Sequence, residues 1–112
     1  MVEVIVLNYL MGNLDVPVFT EEQTDNYDSY VVVEKTGGTI ENFISSATLV
    51  IQSYANTLYE AALLNEEVKK AMQNIVSLDS ISKSKLNSDY NFTDTTKKKY
   101  RYQAVFDLVF FD

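Results

Sequence analysis

The sequence contains no cysteine and no histidine. The first absence excludes disulfides, thiolate catalysis and cysteine-based zinc sites, so stability must come from packing alone. The second removes the commonest general base and the commonest transition-metal ligand. Proline occurs once, at Pro17. No apolar run approaches the roughly 20 residues that a membrane helix needs. The apolar start, Met1–Leu10, carries Glu3 and lacks a basic opening and a small-residue cleavage site, so it does not read as a signal peptide. Basic residues are also scarce, 9 against 16 acids, for a net charge of −7. Such a chain is a poor candidate for wrapping nucleic acid, because phosphate neutralisation supplies most non-specific affinity.

What is present is globular in kind. With 112 residues, 46% of them hydrophobic, the chain suits one domain with one core. Charge is unevenly placed. Residues 1–67 hold eleven acids and one base, Lys35, a balance of −10, whereas residues 68–112 hold five acids and eight bases, a balance of +3. The asymmetry reads either as complementarity between copies of the chain or as uneven solvation of an ordinary surface.

Val2, Ile5, Val6, Tyr9 and Leu10 fall at helical spacing and predict a helix ending near Gly12, although the β-branched content also suits a strand. Asp15–Phe19 reads as a short extended piece at a sheet edge, since Pro17 cannot donate to a ladder. Thr20–Asp28 is polar and acidic, an exposed loop. Ser29–Lys35 is strongly β-forming, and its Val31-Val32-Val33 run predicts a strand covered on both faces. Thr36-Gly37-Gly38-Thr39 supplies the chemistry of a turn.

Phe43–Ala55 alternates, with Ala47, Leu49 and Ile51 on one side and Thr48, Val50, Gln52 and Tyr54 on the other. Thr57-Leu58-Tyr59-Glu60 fits a capping box opening a helix to about Val76, whose stripe is Ala61, Leu64, Val68, Ala71, Met72 and Ile75. Ile81–Asp89 is polar but alternating, and Asn91–Thr96 reads as a turn. In Tyr100–Phe111 the residues Tyr100, Tyr102, Ala104, Phe106, Leu108 and Phe110 share a face. The order predicts a single α+β domain over residues 1–112, a mostly antiparallel sheet with two helices on one face.

Candidate chemistry is thin. Glu34-Lys35 resembles the end of a nuclease-type metal motif, but neighbours on a strand face opposite ways and no upstream acidic partner sits at a fitting position. Glu21, Glu22, Asp25 and Asp28 lack the alternating ligands and central glycine of a calcium loop. No helix start with a Lys-Ser/Thr pair follows Thr36-Gly37-Gly38, so it does not read as a phosphate loop. Lys97-Lys98-Lys99 with Arg101 forms the one basic cluster; it reads as a solubilising loop guarding an edge, as a protein contact, or as a DNA contact. Replacing the three lysines by Glu is expected to leave folding intact and weaken assembly. No catalytic residue, cofactor or metal is expected.

An ordered series of segments remains: Leu14–Val18, Lys35–Gly38, Glu41–Phe43, Ala47–Ala55, Thr57 with Glu60-Ala61, Tyr90–Phe92 and Arg101–Val105. It resembles the small tail-terminator, or tail-completion, proteins of long-tailed phages over nearly the whole chain. Lys35 stands where that family commonly has Arg, and Lys lacks the bidentate fork of Arg; Tyr54 stands where Trp is common. The resemblance implies an α+β subunit of a hexameric ring that docks on the last ring of the major tail tube protein. There it stops polymerisation and offers a surface to the head connector, while DNA passes through without specific binding. Assembly in the host bacterial cytoplasm and final residence at the head-tail junction follow. Glu21, Glu22, Asp25, Asp28, Lys35, Lys97, Lys98, Lys99 and Arg101 are the candidate interface residues. Another phage neck or minor capsid component, and a non-phage dimeric binding module, are the alternatives.

Overall fold

The computed structural model describes residues 1–23, 27–42, 44–96 and 99–111. Among them the chain forms α1 (Val2–Asn13), β1 (Val18–Phe19), β2 (Ser29–Glu41) and β3 (Ile44–Ala55). It continues through α2 (Leu58–Gln73), a 3₁₀ turn (Ile75–Ser77), β4 (Ile81–Asn91) and β5 (Tyr100–Phe110). The strands make one sheet in the order β1-β2-β3-β5-β4. Only the β1–β2 pair is parallel. Both helices lie on the same face, so the architecture is α+β as the residue pattern predicts.

Period and burial agree closely. Ala47, Leu49 and Ile51 of β3 and Ala104, Phe106, Leu108 and Phe110 of β5 line the helix-covered face and meet Val6, Leu10, Leu64, Val68 and Met72. The Val31-Val32-Val33 run is buried on both sides for a visible reason. Val31 and Val33 enter this main core, while Val32 joins Tyr30 and Tyr54 in a second cluster on the helix-free face. In α1, Val2, Val6 and Leu10 are buried at intervals of four, and Val4 is exposed.

Boundary chemistry departs from expectation twice. Helix α1 runs past Gly12 to Asn13 and stops when Leu14 turns extended (φ −123°, ψ 151°), its N–H bonded to Leu10 O at 2.9 Å. The Thr36–Thr39 segment is not a turn. It is strand, since β2 continues to Glu41 with an irregularity between Lys35 and Gly37, and neither glycine has positive φ. The reversal comes later, between the paired residues Glu41 and Ile44, where Asn42 takes φ 52°. Asparagine tolerates that left-handed backbone better than other non-glycine residues. Phe43, placed by pattern at the start of β3, lies outside the described residues. At α2 the cap forms as the motif predicts, Glu60 N–H donating to Thr57 Oγ1 at 3.1 Å.

The pairings define two ends. Ser29, Ala55 and Tyr100 lie level at one, which also carries residues 27–28, 92–96 and 99; Glu41, Ile44 and Phe110 mark the other. Among the described residues no helix is long and apolar enough to cross a membrane.

Candidate functional site

At the loop-bearing end the two segments read from sequence as separate exposed loops are tied together. The Lys99 ammonium donates to the carbonyl oxygens of Tyr27 and Asp28 (3.1 Å for Asp28) and to Asn56 Oδ1 at 2.5 Å. Asn56 Nδ2 in turn donates to Asp28 Oδ1 at 3.2 Å. A lysine has three protons and no acceptor, so this geometry uses its full donor capacity. Lys99 is therefore a bolt between the segment before β2, the residue after β3 and the start of β5. Lys97, Lys98 and Asp25, the other members of the expected basic and acidic sets, lie outside the described residues.

Arg101, second residue of β5, holds the rest of the rim. Its Nε donates to Phe92 O and its Nη1 to Tyr54 Oη, both at 2.9 Å. The guanidinium carbon sits 4.5 Å from the Phe92 ring centre and 5.5 Å from that of Tyr54, a cation sandwiched between two aromatic faces. Segment 92–96 is shaped by its own side chains: Asn91 Oδ1 accepts from Thr93 N–H at 3.1 Å and Asp94 Oδ1 from Thr96 N–H at 3.0 Å.

Below Arg101 runs an aromatic wall. Tyr54 stacks on Tyr30 with centres 4.5 Å apart and planes at 9°, and Phe19 and Tyr27 close against Tyr30 from the β1 side. Burial, with the neighbouring Tyr54 next in weight, raises the Tyr30 phenol above its ordinary 10.0. A polar belt then crosses the helix-free face. Tyr54 Oη donates to Gln52 Oε1 (3.1 Å), Gln52 Nε2 to Gln103 Oε1 (3.1 Å), and Gln103 Nε2 to Tyr90 Oη (2.6 Å).

The remaining carboxylates with bonds have structural partners. Asp107 accepts from Thr48 Oγ1 (3.0 Å) and Asn87 Nδ2 (2.9 Å). Asp89 of the edge strand accepts from Asn65 Nδ2 (3.2 Å) and Lys69 Nζ (3.3 Å) of α2, and Lys69 also pairs with Glu66 at 2.7 Å. The Glu66 hydrogen bond, ahead of that to Asp89, raises the Lys69 pKa above 10.5. Among the described residues no three acidic side chains gather as a metal site. A cavity of about 360 Å³ between the helices is lined by Tyr9, Asn13, Asp15, Glu67, Lys70 and Asn74, but its Tyr9 hydroxyl is engaged with Ala71 O at 2.7 Å.

Of the residues singled out by sequence, the structure brings Asp28, Lys99 and Arg101 to one end, with Glu21 and Glu22 exposed on the segment leading there. Lys35 is separate. It lies on the helix-covered face toward the far end, level with Leu49, whereas Glu34 is level with Val50 on the opposite face. Its side chain crosses Gly38, where an added Cβ would come within 3.0 Å of Lys35 Cε. Sequence reading missed Asn56, Gln52 and Gln103, because their roles depend on partners 43, 51 or 28 residues away. No protein-family model matches the chain, and no curated protein does so either.

Proposed function

We propose that this protein is a structural assembly subunit of a long-tailed bacteriophage or prophage, closing the head-proximal end of the tail tube as part of a ring and catalysing no reaction. The observation that carries the reading is the bolted rim. Lys99, Asn56 and Arg101 join three chain segments into one fixed surface at one end of a rigid sheet. Loops held this way suit docking against a partner, because little conformational freedom is left to lose on contact.

The sequence resemblance supplies the partners. Its segments map onto the sheet and the rim: Ala47–Ala55 is the central strand β3, Arg101–Val105 the strand beside it, and Tyr90–Phe92 the approach to the rim. The partners are further copies of this chain, the major tail tube protein and the head connector. Exposed Glu21, Glu22, Asp28 and Glu60 contribute to a net charge of −7. That favours a protein partner over phosphate, and lets DNA slide past without sticking.

Disruption of the gene tests the reading. Electron microscopy of the resulting particles is expected to show tails of uncontrolled length and heads left unjoined. Normal, joined tails would overturn it.

A further inference from the structure

We infer that the open edge of β2, Glu34–Glu41, pairs antiparallel with the β4 edge, Ile81–Ser88, of a second copy of this chain. The inference rests on the ring reading and names the surface that builds the ring. Among the described residues both outer edges of the sheet are open there. Strand β1 covers β2 only at Val31 and Val32, and β4 has β5 alone beside it. Each edge leaves a row of outward N–H and C=O groups that another strand would satisfy.

Direction comes next. Three antiparallel steps separate β2 from β4, so the two run opposite ways within one chain. A rotation about an axis along the strands preserves direction. It therefore sets β4 of one copy beside β2 of the next as an antiparallel ladder. That contact is heterologous, the kind that closes rings, whereas an edge pairing with itself stops at a dimer.

Charge selects the same pairing. Lys83 and Lys85 are exposed on the helix-free side of β4, level with Val109 and Asp107; Glu34 and Glu41 are exposed on the same side of β2, level with Val50 and Ile44. Followed across the sheet, Lys83 is level with Val109, Ser46 and Thr39. Without stagger, Lys83 of one copy thus stands opposite Thr39 of the next and diagonal to Glu41, within reach of a long side chain. Self-pairing of β2 about Gly37-Gly38 would set Glu34 against Glu41, and self-pairing of β4 about Ser84 would set Lys83 against Lys85. Each edge repels itself and attracts the other. Gly37 adds a further sign: a Cβ there meets nothing within 4 Å and its φ is not positive, so the monomer itself has no need of glycine. Close approach of another backbone explains it.

Cross-linking tests the pairing cleanly in a chain without cysteine. Within one chain Thr39 and Lys83 are separated by three strand spacings, roughly 14 Å, too far for a disulfide. Thr39→Cys and Lys83→Cys (with Lys85→Cys for a two-residue stagger) are oxidised singly and mixed. The expected result is a disulfide-linked pair only in the mixture, and a ladder of multimers from the Thr39→Cys/Lys83→Cys double variant. Absence of a mixed cross-link at both positions overturns the edge pairing, as does a Thr39→Cys homodimer, which marks β2 self-association. Native mass spectrometry separates the two levels. Rings of six without either cross-link overturn the pairing and leave the ring reading standing, whereas a chain that stays monomeric and without cross-links even when tube protein is polymerised beside it removes both. A reciprocal charge swap gives an independent check: Lys83→Glu/Lys85→Glu is expected to lose assembly and to regain it when mixed with Glu34→Lys/Glu41→Lys.

Discussion

At the scale of single residues, Lys99 shows how one basic side chain in a run of three acquires a structural role. Its ammonium satisfies two backbone carbonyls and an amide oxygen on otherwise separate segments. Lys99→Met leaves those acceptors without their charged donor, and a loss of about 1–2 kcal/mol is expected, measured as a lower urea midpoint. Amide exchange should rise at Tyr27, Asp28 and Asn56, and unchanged exchange there would contradict the bolt. The triple replacement by Glu accordingly lowers stability through Lys99. The titrating groups give a second prediction. Tyr9 and Tyr30 are raised from 10.0 by burial, and Lys69 from 10.5 chiefly by its bond to Glu66. Each folded-state pKa lies above its unfolded value, so the associated stability is complete below those ordinary values and fades as pH rises through the raised ones. Denaturant midpoints should therefore fall in strongly alkaline solution, and less steeply in Tyr30→Phe. Identical alkaline profiles for the two proteins would refute the assignment to Tyr30.

At the scale of elements, β2 is the informative strand. Gly37 and Gly38 are adjacent in sequence, yet substitution should act with opposite sign on the monomer. Gly37→Ala meets no atom and is expected to stabilise by about 0.5–1 kcal/mol by narrowing the unfolded ensemble. Gly38→Ala brings a Cβ to 3.0 Å from Ser46 O and Lys35 Cε, and is expected to cost about 1–2 kcal/mol. Thermal unfolding of the two variants checks the contrast. The same segment shows where sequence reading reaches its limit. Strands β3 and β5 and helix α2 were legible because each sets an apolar row against the main core, which writes its period directly into the residues. Thr36–Thr39 was read as a turn because paired glycines commonly mark one. What overrides that signal is the ladder with β3 on the neighbouring strand, which carries β2 on to Glu41. The rim was illegible for a related reason: its bonds join residues far apart in the chain, and no local pattern encodes them.

At the scale of the whole molecule, the sheet is a polar object. One end carries the bolted rim; the other carries the tip of the β2–β3 hairpin, with Ile40 73% exposed. The two lateral edges carry opposite charges on the helix-free side. An object with two different ends and two complementary edges is suited to a ring stacked between two unlike partners. Co-assembly with a major tail tube protein tests that claim most directly. Tubes polymerised with this chain are expected to stop at a short length, with a ring of six at one end in electron micrographs. Tubes that grow equally long with and without the chain, and bear no ring, would contradict it.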